Sequence, residues 1–91
     1  MTYGLPQEGK TVNANYTATA GTTVAITARA VRVFATTACF IRISTAGTSA
    51  VAATDMPMEA RSYEVFTLPE LGRISAIRET TDGTIYVTPM G

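Results

Sequence analysis

Histidine is absent from all 91 residues, which removes the side chain that most often serves as general base near neutral pH and as metal ligand. Tryptophan is missing as well, and lysine and cysteine occur once each, as Lys10 and Cys39. A lone cysteine closes no disulfide within the chain, and between Ala38 and Phe40-Ile41 it reads as a small buried hydrophobe. No imidazole is available to activate its thiol, and the serine and threonine hydroxyls face the same want. Lys10 and scattered carboxylates are the only bases left. The reading is of a protein that is not an enzyme.

Charge of one sign is lacking too. Seven basic residues balance seven acidic ones for a net charge of zero, so no long-range field gathers nucleic acid or anionic lipid. Arg29, Arg32, Arg42, Arg61, Arg73 and Arg78 are spread singly along different segments rather than clustered. No basic start leads into an apolar run, and no stretch of about 18 apolar residues occurs, so neither a secretory leader nor a membrane span is expected. The sequence predicts a soluble protein made in a cytoplasm, in which Asn15-Tyr16-Thr17 is a chance glycosylation match.

Two carboxylates four apart, Asp55 and Glu59, flank Met56-Pro57-Met58. Glycoside hydrolysis needs such groups across a cleft, for which a small chain has little room. Calcium needs six to eight oxygen ligands, and no looped Asp/Asn/Gly cluster supplies them. No metal and no cofactor are expected.

What the chain does have is apolar, β-forming sequence. Hydrophobic residues make up 46% and charged residues 15%, against roughly 25% charged in an average soluble domain. A chain this short buries only about 60–65% of its unfolded surface, so a monomeric core is marginal and part of the apolar surface is expected to face a partner. Residues 1–9, with Gly4, Pro6 and Gly9 and no periodicity, read as an N-terminal arm, and 10–91 as one domain. From Lys10 to Gly21 the chain alternates, with Val12, Ala14, Tyr16 and Ala18 on one face. Dense β-branched and aromatic sequence then predicts strands near 22–27, 29–35 and 38–44. In the second, Val31 and Val33 alternate with Arg32; in the third, Cys39, Ile41 and Ile43 alternate with Phe40 and Arg42.

After an apolar run from Ala50 to Ala53, the Pro57 segment at 54–60 reads as an edge strand or ordered loop, because proline lacks a backbone donor. Strand character resumes at 62–68, Pro69-Glu70-Leu71-Gly72 turns the chain, and 73–78 and 84–88 flank Asp82-Gly83. Asp-Gly between β-rich runs predicts a hairpin joining the last two strands. No segment shows helical spacing. The fold class expected is all-β: a single-domain β-sandwich, jelly-roll-like, of about eight short strands.

Ala35-Thr36-Thr37-Ala38-Cys39-Phe40-Ile41-Arg42-Ile43, Ala53-Thr54-Asp55-Met56-Pro57-Met58, Tyr63-Glu64-Val65-Phe66, Gly72-Arg73-Ile74-Ser75-Ala76-Ile77 and Gly83-Thr84-Ile85-Tyr86-Val87-Thr88-Pro89-Met90 share a cadence. Over roughly the last two-thirds, the chain resembles small tailed-phage and prophage virion proteins. The resemblance implies a capsid decoration or cement protein, bound to the major capsid protein lattice on the outside of the head. It also implies a homo-oligomer, a trimer being favoured. The N-terminal third departs from the pattern. Tyr3, Leu5 and Pro6 in the arm, and Tyr16, are the residues expected to contact partners. The alternative from another class is a carbohydrate- or receptor-binding sandwich of a tail or fibre, suggested by threonine-rich strands and tyrosines able to stack on sugars.

Overall fold

The computed structural model describes residues 10–45, 48–52 and 54–90. Among the described residues there are eight strands: β1 (Val12–Tyr16), β2 (Gly21–Thr22), β3 (Ala30–Ala35), β4 (Cys39–Ser44), β5 (Met56–Met58), β6 (Ser62–Thr67), β7 (Arg73–Arg78) and β8 (Gly83–Met90). They form two four-stranded sheets, ordered β1-β8-β3-β6 and β2-β7-β4-β5. Each pairing is antiparallel. The nested partners β1·β8, β2·β7, β3·β6 and β4·β5 describe one long hairpin wrapped into a sandwich, which is the jelly-roll order.

Period-two alternation makes the sandwich. Val31, Val33, Ile85, Val87, Ala14 and Tyr16 face inward from the first sheet, and Cys39, Ile41, Ile74, Ala76 and Met58 from the second, all within one buried cluster. The alanines and Cys39 leave room for Tyr16, the largest of the fully buried side chains. Arg32, between Val31 and Val33, stays half-exposed, as its parity requires.

Three expectations change. The predicted 22–27 strand shrinks to Gly21–Thr22, followed by an irregular edge held to β7 by Thr23 N–H to the Ile74 carbonyl and Ile26 N–H to the Gly72 carbonyl, each at 2.9 Å. The buried Thr23 hydroxyl takes the Ile74 N–H at 3.1 Å, so the local side chain substitutes for a ladder bond. The 10–21 alternation ends at Tyr16, with Thr17 Oγ1 and N–H groups turning the chain back into β2. Most importantly, β7 and β8 are not a hairpin: β7 lies between β2 and β4, β8 between β1 and β3. Every connection except β4–β5 passes from one sheet to the other. The Pro57 segment is an edge strand, as its missing donor predicts.

Alternate crossings place residues 23–29 and 68–72 and the link from β4 to β5 at one end, and the short turns at 17–20, 36–38, 59–61 and 79–82 at the other. In the first group, Gly72 N–H bonds the Pro69 carbonyl at 3.0 Å, and Leu71 sits inside that turn at φ 54°. A left-handed conformation costs a side chain with a Cβ about 1–2 kcal/mol, and half-exposed Leu71 recovers little of it by burial. Leu71→Gly is therefore expected to raise unfolding free energy by about 0.5–1 kcal/mol, partly offset by the looser unfolded chain. Urea denaturation checks it: a lower midpoint than wild type would mean that Leu71 packs more tightly than its exposure indicates.

Candidate interaction surface

The two outer faces of the sandwich differ. On the β2-β7-β4-β5 sheet Ala50, in the link from β4 to β5, covers part of the face: its N–H donates to Ser75 Oγ at 2.8 Å, and both residues are buried. Asp55 fastens the loop, accepting from Arg42 Nε at 3.0 Å and from Val51 N–H at 2.6 Å. Main-chain donation from Val51, then the Arg42 guanidinium, hold its carboxyl below the ordinary carboxylate range. A lowered folded value stabilises the fold above the unfolded value of about 3.9 and loses that contribution as pH falls through the folded value. Asp55→Asn is accordingly expected to lower the thermal midpoint at neutral pH, with the gap to wild type closing below about pH 4. A gap that stayed constant down to that range would remove the carboxylate from the account.

No such cover lies on the β1-β8-β3-β6 sheet among the described residues. Register puts Asn13, Tyr86, Phe34 and Tyr63 directly opposite one another across all four strands, with Arg32 between Thr88 and Val65 in the next row. Neighbouring strands lie about 4.8 Å apart, so the three rings form one aromatic band. Tyr63 is 57% exposed, and Tyr86 and Val65 42% each. Large apolar side chains left open in a contiguous patch mark interaction surfaces, whereas scattered ones do not. The Arg32 guanidinium carbon lies 3.9 Å from the Tyr63 ring centre, a cation–π contact between neighbouring strands. Under that ring Arg32 Nε is buried with no hydrogen-bond partner, and an unsatisfied buried donor is costly.

Comparison with protein-family models, with curated proteins and with solved structures finds no match. The reading of this surface therefore rests on its chemistry.

Of the expected contact residues, Tyr3, Leu5 and Pro6 lie outside the described residues. Tyr16 is corrected: it is 1% exposed, and its hydroxyl donates to the Thr37 carbonyl at 2.7 Å and accepts from Thr37 N–H at 3.2 Å. Burial pushes its phenol upward from the ordinary value, and Tyr16 is a core strut with no surface to offer. Cys39 is buried likewise, its thiol raised by desolvation. Asp55 and Glu59 sit at opposite ends of β5, Asp55 bound to Arg42 and Glu59 exposed, so they do not face each other across a cleft. Tyr63, Tyr86 and Phe34 share the outer face of their sheet. The signal was available in Thr84-Ile85-Tyr86-Val87-Thr88: with Ile85 and Val87 inward, Tyr86 must point out.

Proposed function

We propose that this chain is a structural protein of a tailed-phage virion, a capsid decoration or cement protein made in the bacterial host cytoplasm and bound as a homo-oligomer to the major capsid protein lattice. The observation that carries the reading is the asymmetry of the sandwich among the described residues: one face covered at Ser75 by Ala50, the other bearing an uncovered Tyr86, Phe34, Tyr63 and Val65 surface. A nonpolar band of tyrosines beside an arginine is the composition of a protein contact, in which such side chains carry most of the binding energy. A marginal sandwich also gains stability by mass action when its folded state is captured on a lattice.

Co-sedimentation of the full chain with shells of the major capsid protein encoded in the same phage or prophage tests it. Retention on shells is expected, with Tyr63→Ser and Tyr86→Ser each weakening it by about tenfold or more. A chain that stays in the supernatant at tens of micromolar ends the proposal.

The aromatic band favours a second reading, stacking on the faces of a glycan of a host surface. Binding on a glycan array that disappears with Tyr63→Ser, together with indifference to shells, would move the assignment to a tail or fibre.

A further inference from the structure

The four edge strands of the sandwich are not equally protected. β2 spans two residues. β5 spans three and contains Pro57. β1 presents Asn13 and Asn15, residues that are poor in sheets. Among the described edges β6 is the longest, six residues free of proline and lysine and rich in β-branched and aromatic side chains, with one charge, the exposed Glu64 opposite Val33. Edges of that kind pair with another strand unless something blunts them.

Its main-chain groups can be assigned. Leu68 N–H donates to the Arg29 carbonyl at 2.6 Å, continuing the register in which Thr67 faces Ala30 and Ser62 faces Ala35. Bonded and non-bonded pairs alternate along an antiparallel ladder, so Ser62, Glu64 and Phe66 direct their N–H and C=O groups at β3. Those of Tyr63, Val65 and Thr67 point to the open edge. The same three residues place their side chains on the uncovered face, where Tyr63 and Val65 are exposed.

We propose that the β6 edge is completed by the β6 strand of a second copy of this chain, paired antiparallel about a two-fold axis through Val65. Side-chain chemistry selects that axis. Centred on Val65, the free-edge residues pair Val65 with Val65 and Tyr63 with Thr67 of the second copy, β-branched and aromatic pairs that stabilise sheets. Centred on Glu64, the carboxylate would face its own copy at the closely spaced position, and like charges there are unfavourable. Centred on Phe66, Tyr63 would meet Pro69, which has no N–H to give. Centred on Tyr63, Val65 would meet Arg61, whose φ of 55° has already turned the chain away from the strand. Only the Val65 axis uses the whole of the open edge. The two β1-β8-β3-β6 sheets then join into one continuous sheet, an isologous interface that closes on two copies and leaves no unpaired β6.

The inference stands apart from the capsid contact of the virion reading: a dimer that ignores shells overturns that contact alone, and a monomer that binds shells overturns this inference and leaves the contact standing. Sedimentation equilibrium of the full chain is expected to give the mass of two chains. Val65→Cys is expected to form a covalent dimer on mild oxidation, since bonded pairs in a ladder sit about 5.5 Å apart, within disulfide reach. Glu64→Cys, displaced diagonally from its symmetry mate, is expected to remain uncrosslinked; native Cys39 is buried and does not compete. Val65→Pro removes an outward N–H without touching the bonds to β3, so its mass is expected to fall to one chain with an unchanged β-type circular dichroism spectrum. Should that variant unfold, Val65→Lys sets two ammonium groups at the axis and is expected to give the same monomer. A one-chain or three-chain mass for the wild type, crosslinking of Glu64→Cys in preference to Val65→Cys, or a two-chain mass for folded Val65→Pro or Val65→Lys would overturn the proposal.

Discussion

Tyr16→Ala is expected to remove about 4–8 kcal/mol of folding stability. The Tyr16 ring is the largest of the fully buried side chains, and a core relaxes only partly into the cavity that truncation leaves. Truncating a buried aromatic to alanine costs about 3–5 kcal/mol. Its hydroxyl adds to this, because it bonds both the carbonyl and the N–H of Thr37, and losing a buried partner costs roughly 1–3 kcal/mol. Total stability for a domain of this length is about 5–14 kcal/mol, so the variant gives up a large share of it. Tyr16→Phe separates the two terms: the ring stays, the Thr37 bonds go, and about 1–2 kcal/mol should be lost. Urea titrations followed by circular dichroism measure both. Equal losses for the two variants would place the whole effect in the hydroxyl, and a Tyr16→Ala protein with an undisturbed folded baseline would show that the core has a second means of support.

Why that hydroxyl matters follows from the topology. Tyr16 ends β1, Thr36 and Thr37 bridge β3 to β4, and residues 79–82 bridge β7 to β8. All three lie at the end of the sandwich where strands change sheets over short turns. Thr37 Oγ1 donates to the Thr81 carbonyl at 3.0 Å, Thr84 N–H donates to Thr36 Oγ1 at 2.9 Å, and Glu79 N–H reaches the Ala38 carbonyl at 3.1 Å. Side-chain hydroxyls thus take up main-chain groups that the sheets abandon where the chain crosses over, which gives the threonine-rich composition a structural use.

Alternation carried most of what could be read before the fold was known. Val31-Arg32-Val33 and Cys39-Phe40-Ile41-Arg42-Ile43 each announce a strand and its buried side, because a two-residue period admits no other packing. Parity is local, and so it was legible. Which strands share a sheet is decided by contacts far apart in the chain, and nothing in residues 73–88 alone distinguishes a hairpin from a crossover between sheets. Residues 22–27 failed for a related reason: Thr22-Thr23-Val24-Ala25-Ile26-Thr27 has strand composition, yet Thr23 Oγ1 replaces the ladder and leaves Val24 exposed. The aromatic band on the open face follows the same parity rule, since Tyr86 alternates with the buried Ile85 and Val87. Composition does not register that Tyr86, Phe34 and Tyr63 fall in one row, which strand register alone sets.

The Asp82-Gly83 pair shows how a correct residue can be noticed for the wrong physical reason. Gly83 begins β8 opposite Tyr16, in ordinary extended backbone, and no tight hairpin turn follows from it. Glycine is required because a Cβ there would run into the Thr37 hydroxyl, the Tyr16 hydroxyl at 2.7 Å and the Thr36 hydroxyl at 2.8 Å. Gly83→Ala is therefore expected to destabilise by about 2–3 kcal/mol, as overpacking at a fixed site does, by prising apart the bonds that hold the crossover end together. Tyr16→Phe removes one of the three obstructing atoms, so in that background the same Gly83→Ala change should cost less, with a coupling of about 0.5–1 kcal/mol in the double-mutant cycle. Strict additivity would mean that the alanine is accommodated by motion of the Thr36 and Thr37 turn alone. A destabilised single variant together with measurable coupling would locate the constraint where the three hydroxyls meet, at the seam between the two sheets.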